Sequence, residues 1–214
     1  MRSRPALVLL LGSLASPLAA QVFEDARLES RSAADPATLV ASLGEREPEW
    51  LAWRVPGSPS AADLCCFDRN FHDRRCKLVG REGGWGSTSD FRRPPGGASL
   101  TILAEVEKGR VLRLRPIGPN CTVEGGGRRV VEVTGVEARE SLAFLIGLAS
   151  ASNRSEDLTN AAMAAVAYHQ NSTPSLVEVL KTARHRELRR QALFWLGQSD
   201  DPRALEEIEK ILNR

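Results

Sequence analysis

A chain of 214 residues with 42% hydrophobic and 26% charged content is long enough for one or two domains with real cores, and its composition is that of an ordinary globular protein, not a disordered one. The formal net charge is +2; loss of Arg2 and Arg4 with an N-terminal leader takes the 29 basic residues to 27, equal to the 27 acidic ones. That balance argues against a nucleic-acid-binding protein, which carries a basic surplus.

Met1 to Arg4 is a short basic segment, Ala6 to Leu14 is apolar, and Ala15 to Ala20 is rich in small residues. This order predicts a secretory signal peptide over 1–20, cut after Ala20, and a periplasmic or extracellular protein. The apolar run is shorter than the roughly 20 residues of a spanning helix, so no stable membrane insertion is expected after cleavage.

Asp35-Pro36 starts a helix, with an acidic N-cap and proline at the first helical position; Leu39, Val40 and Leu43 form its apolar face and Gly44 ends it. Trp50 to Pro56 reads as a strand running into a Pro-Gly turn. Trp50 and Trp53 read as cover for a small core, with a ligand platform as the alternative. Residues 57–95 are rich in Gly and Pro and disfavour long regular elements. Leu100 to Glu105 and Leu112 to Arg115 alternate with period two around Lys108-Gly109, which predicts a β-hairpin with Arg113 and Arg115 on its outer face. Cys121 to Val123 and Arg129 to Val133 add short strands around the Gly125–Gly127 turn, giving an antiparallel sheet.

From Val136 the period becomes helical. Five helices are predicted: Glu137–Ala149, one starting at Ser155 or Asp157, one opened by Pro174, Glu187–Gly197 and Pro202–Leu212. The leucines Leu142, Leu176 and Leu205 recur at roughly thirty-residue spacing, one helix pair per unit.

The four cysteines, Cys65, Cys66, Cys76 and Cys121, are an even set in a chain read as exported, which favours disulfides. A ring joining the neighbours Cys65 and Cys66 is strained. Two pairings are left, each giving one of these neighbours to Cys76 and the other to Cys121. The competing chemistry is a metal centre, since Cys65, Cys66, His72 and Cys76 lie close in sequence; no Cys-x-x-Cys pair accompanies them. A thiol nucleophile at Cys121 with His72 or His169 has no local signature, no Gly-x-Ser-x-Gly elbow is present, and neither glycine run continues into a phosphate cradle. The basic run Arg69, Arg74, Arg75, Lys77 and Arg81 is interleaved with acids and reads as a mixed solvated surface.

The segment Leu188-Arg189-Arg190-Gln191-Ala192-Leu193 to Gly197, followed by Asp201-Pro202 and an Ala-Leu helix, resembles a short bacterial HEAT repeat. The whole chain is similar to exported bacterial proteins that join a cysteine-containing front half to C-terminal HEAT repeats, a family with no known activity. The resemblance implies protein binding along stacked helices, although such arrays also occur in enzymes that attach pigments to proteins.

The expected fold is therefore α+β: a signal peptide over 1–20, a disulfide-stapled, β-rich domain over 21–135 with a short N-terminal helix, and a short α-solenoid of HEAT-like helix pairs over 136–214. The expected function is an exported interaction or scaffold module without catalysis, cofactor or metal. Its partner is another protein, and Glu178, Lys181, Glu206 and Lys210 are the partner-facing candidates. The alternative is a metal-dependent sensor or enzyme built on Cys65, Cys66, His72 and Cys76.

Overall fold

The structure is a computed structural model that describes residues 21–45, 47–67, 75–80, 84–87, 98–152 and 155–213. The leader, His72 and the basic residues Arg69, Arg74 and Arg81 lie outside the described residues. In chain order the elements are β1 (Phe23–Glu24), β2 (Arg27–Ser32), α1 (Pro36–Val40), β3 (Glu49–Gly57), a 3-10 turn (Pro59–Asp63), β4 (Leu64–Phe67), β5 (Arg75–Lys77), β6 (Gly84–Ser87), β7 (Ala98–Glu107), β8 (Arg110–Ile117), β9 (Thr122–Glu124) and β10 (Arg129–Thr134). The helices α2 (Ala138–Ser150), α3 (Glu156–Tyr168), α4 (Thr173–Thr182), α5 (Arg186–Gly197) and α6 (Pro202–Leu212) follow.

The frame is a five-stranded sheet in the order β2-β10-β3-β7-β8. It is mixed, not antiparallel as expected: β10 runs parallel to both neighbours, while β3, β7 and β8 alternate in direction. The hairpin forms where the alternation places it, with Lys108 (φ 50°) and Gly109 (φ 68°) at its turn.

Both faces of the central strands are covered. Leu51, Trp53 and Val55 of β3 and Leu100, Ile102, Ala104 and Val106 of β7 pack on the helix side. Trp50 and Ala52, with Leu103 of β7, pack on the opposite side with all four cysteines. Side chains alternate across a strand, so two different cores meet through one sheet. Small strands supply the second cover: β1-β9-β5 and β4-β6.

This layering corrects the placement of the hairpin arginines. Arg115 is only 6% exposed. Its guanidinium lies 5.1 Å from the centre of the Trp50 ring and donates to the Lys77 carbonyl. Arg113 lies over the same ring at 5.4 Å and grips the Glu105 carboxylate. The cysteine region folds over the face that the hairpin alone would expose.

The expected HEAT-like α-solenoid is also corrected: among the described residues there are six helices, and those after the strands form no clear solenoid. α2 and α3 are laid on the sheet and share its core, from Trp53 and Ile102 to Leu145 and Met163. All six residues from Ala161 to Val166 of α3 are buried. A helix stacked in an array keeps an outward face; here the sheet and the neighbouring helices take every side of that segment. The apolar pattern read as a repeat is a set of helices sharing one core with a sheet, joined to α4, α5 and α6 by short turns. Among the described residues, no helix is long and apolar enough to cross a membrane.

Candidate functional site

The end of β3 is tied to the turn after α3 by main-chain bonds: Ser58 N donates to the Tyr168 carbonyl (2.8 Å) and Gln170 N to the Pro56 carbonyl (3.0 Å). Gly57 and His169 form a bridge between them. The tie places His169 beside α2, where Trp53 Nε1 donates to Ser141 Oγ at 2.8 Å and Ser141 Oγ lies 3.1 Å from His169 Nε2. An indole N–H can only donate, so the serine oxygen accepts it; that oxygen retains one proton and a second lone pair for the bond with Nε2, whose direction follows the imidazole tautomer. Nδ1, the other ring nitrogen, is buried and has no hydrogen-bond partner among the described residues.

A serine beside a histidine invites comparison with a hydrolase pair. Ser141 is 0% exposed and His169 1%, so a substrate cannot reach the hydroxyl. Burial holds the His169 pKa down at about 4, which keeps the ring neutral at pH 7. The chain Trp53–Ser141–His169 is a polar rivet through the sheet–helix joint.

In front of this rivet is a cleft of about 520 Å³, whose lining includes Ser58, Tyr168, His169, Trp195, Asp201 and Arg203. Asp201 caps α6: its carboxylate accepts from Arg203 N (3.1 Å), from the Thr173 hydroxyl (2.8 Å) and from the Arg203 guanidinium (2.8 Å). The Arg203 guanidinium, first among these contacts, holds the Asp201 carboxyl down at about 2. An aromatic string leads out of the cleft. Tyr168 meets Trp195 edge-on at 5.7 Å, and Trp195 meets Phe194 at 5.2 Å. Phe194 is 57% exposed, and on α6 Leu205 is 62% exposed.

A second cleft, of about 480 Å³, lies at the other end between β2 and the loop after α1. Two of its four arginines grip glutamates: Arg129 bonds both Glu29 and Glu49, and Arg31 bonds Glu29 at 2.9 Å. This cluster neutralises itself and holds the parallel β2–β10 edge.

The four sequence-named partner residues do not line the aromatic cleft. Lys181 of α4 and Lys210 of α6 converge on Glu207, at 3.4 and 2.8 Å, while Glu178 and Glu206 are exposed. The cysteines form Cys65–Cys121 and Cys66–Cys76 disulfides. Cys121 is thereby withdrawn from any pairing with a histidine. Arg75 and Lys77 pair with Glu24 (2.6 Å) and Glu124 (3.9 Å). His169, Ser141 and the Tyr168–Trp195 pair were not legible as a site, because their sequence neighbours are ordinary helix and turn residues.

No protein-family model, curated protein or solved structure matches this chain.

Proposed function

We propose that the chain is an exported binding module that recognises a peptide segment of another protein through the α5–α6 end and the cleft beside it, without catalysis. The carrying observation is the aromatic string from Tyr168 through Trp195 to exposed Phe194, which links a polar cleft to an unburied apolar side chain. Exposed aromatics beside fixed hydrogen-bonding groups suit a peptide: its apolar side chain covers Phe194, and its main-chain amides meet the hydroxyls and carboxylates of the cleft. The rivet behind the cleft supports the reading, since a preorganised wall lowers the ordering cost of binding. The leader-like N-terminus and the two disulfides support an oxidising, extracytoplasmic setting.

The test is site-specific photo-crosslinking in the native envelope from a reactive residue at Phe194, with Leu112 as the exposed control. The expected result is one reproducible protein adduct from position 194 that disappears in a Trp195→Ala background. Equal labelling from positions 194 and 112 sinks the proposal.

A further inference from the structure

Three cysteine sulfurs, from β4, β5 and the residue before β9, share one small space. The Sγ atoms of Cys65, Cys76 and Cys121 all lie within 4.8 Å of one another, although only Cys65 and Cys121 are bonded together. All three residues are buried. Thiolates around one zinc ion, with Zn–S of about 2.3 Å, stand about 3.8 Å apart. Bringing the Cys76 sulfur to that spacing closes it by up to about 1 Å, and on reduction the Cys65 and Cys121 sulfurs must open from bonding distance by roughly 2 Å.

The arrangement does not depend on the disulfides alone. β5 pairs in parallel with β9, with Cys76 opposite Val123. Gly118 N donates to the Leu64 carbonyl at 2.7 Å and Cys121 N to the Gly118 carbonyl at 3.2 Å, which fastens the Cys121 turn to the start of β4. The same apolar cluster contains Trp50, whose ring carries Arg113 and Arg115, and Arg115 bonds the carbonyl of Lys77, next to Cys76. Cys66 is not part of the three-sulfur group, as expected for the strand neighbour of Cys65, whose side chain leaves β4 on the other side.

We propose that Cys65, Cys76 and Cys121 of the reduced chain bind one zinc ion, and that disulfide formation expels it. On loading, three thiols release their protons to solvent as three Zn–S bonds form, leaving a fourth position for water. On oxidation, a protein disulfide of the dithiol–disulfide exchange class takes two electrons for each bond made. One such disulfide is reduced to two thiols as Cys65–Cys121 forms and a second as Cys66–Cys76 forms; the four new thiols take one proton from the Cys66 thiol and three from solvent, and the zinc ion leaves. Metal release is thereby linked to oxidation. The site differs from a set built on Cys66 and His72, because Cys121, distant in sequence, completes it.

The test uses the full chain, reduced with excess phosphine, and cobalt(II) followed by zinc(II) as probes. The expected result is one equivalent of cobalt with a thiolate charge-transfer band, displaced by zinc, and none in the oxidised chain. Cys121→Ser should weaken binding at least ~10-fold, while Cys66→Ser leaves it within about threefold. Far-UV circular dichroism covers the case in which the reduced chain unfolds: zinc must then restore structure in Cys66→Ser and fail in Cys121→Ser. Equal behaviour of these two variants, the absence of a 1:1 endpoint, or a loss confined to His72→Ala overturns the proposal.

Discussion

Trp53 and Ser141, 88 positions apart, are joined by a 2.8 Å hydrogen bond from the indole N–H to the hydroxyl. That bond connects the middle of the sheet to α2, and the same hydroxyl reaches His169. Removing the hydroxyl leaves a buried N–H and a buried ring nitrogen without partners. Each such group costs about 1–3 kcal/mol. Ser141→Ala should therefore destabilise the chain by about 2–4 kcal/mol in denaturant unfolding. A change below about 0.5 kcal/mol would show that the rivet is not needed.

His169 makes stability depend on pH. Its folded pKa, about 4, lies below the ordinary 6.5, so the unfolded chain binds the extra proton between these values. Stability is fully present above about 6.5 and is lost as the pH falls towards 4, by up to roughly 3 kcal/mol. Asp201 acts in a lower window: its folded pKa, about 2, is below the ordinary 3.8, so its contribution is present above 3.8 and lost as the pH falls through 2. Unfolding midpoints at several pH values between 7.5 and 4.5 should fall in the wild type and fall less in His169→Gln. Parallel profiles for the two proteins would remove His169 as the cause.

The two disulfides should differ in weight. Cys65–Cys121 closes a separation of 56 residues and Cys66–Cys76 one of 10. Chain entropy assigns about 4 kcal/mol to the first and about 3 kcal/mol to the second. Replacing each pair by alanines and comparing unfolding free energies tests the order. Greater loss from the Cys66/Cys76 pair would mean that local packing outweighs loop closure.

Gly44 has φ of 74°, and a Cβ there would run into the Val106 carbonyl. Gly44 and Leu43 also accept main-chain bonds from Lys108 (2.8 Å) and Gly109 (3.2 Å), which docks the loop after α1 on the hairpin turn. Gly44→Ala should cost more than Gly127→Ala: Gly127 has φ of 73° and open space, so it bears only the roughly 1–2 kcal/mol of left-handed strain. Equal melting shifts for the two variants would refute the steric contact.

Surface apolar residues should separate binding from folding. Phe194→Ser and Leu205→Ser should each change stability by no more than about 0.5 kcal/mol. If the binding reading holds, Phe194→Ser also abolishes the adduct formed from a probe placed at Gln198. A large drop in melting temperature would instead assign Phe194 to the core.

Local chemistry was readable wherever one segment contained its own signal. Asp35 caps α1 by accepting from Ala37 N at 2.9 Å, and Ser155 caps α3 by accepting from Leu158 N at 3.2 Å. The hairpin turned at Lys108-Gly109 because its alternation and its turn residues agreed. β2, Arg27–Ser32, is too polar to signal a core strand, and among the described residues it is an edge strand with one partner, β10. The solenoid reading failed because helical periodicity shows that a face is apolar without showing what covers it. For α2 and α3 the sheet supplies much of that cover.

By itself, the sequence determined the helix and hairpin positions, the α+β content and the restriction of the cysteines to two pairings. These follow from interactions between residues close along the chain and from simple counting. Tertiary structure alone decided which pairing forms, that Arg115 is buried against Trp50, and that Trp53, Ser141 and His169 form one polar chain. Those outcomes depend on which face of the sheet each segment covers, and that choice is made by packing between segments far apart in the chain.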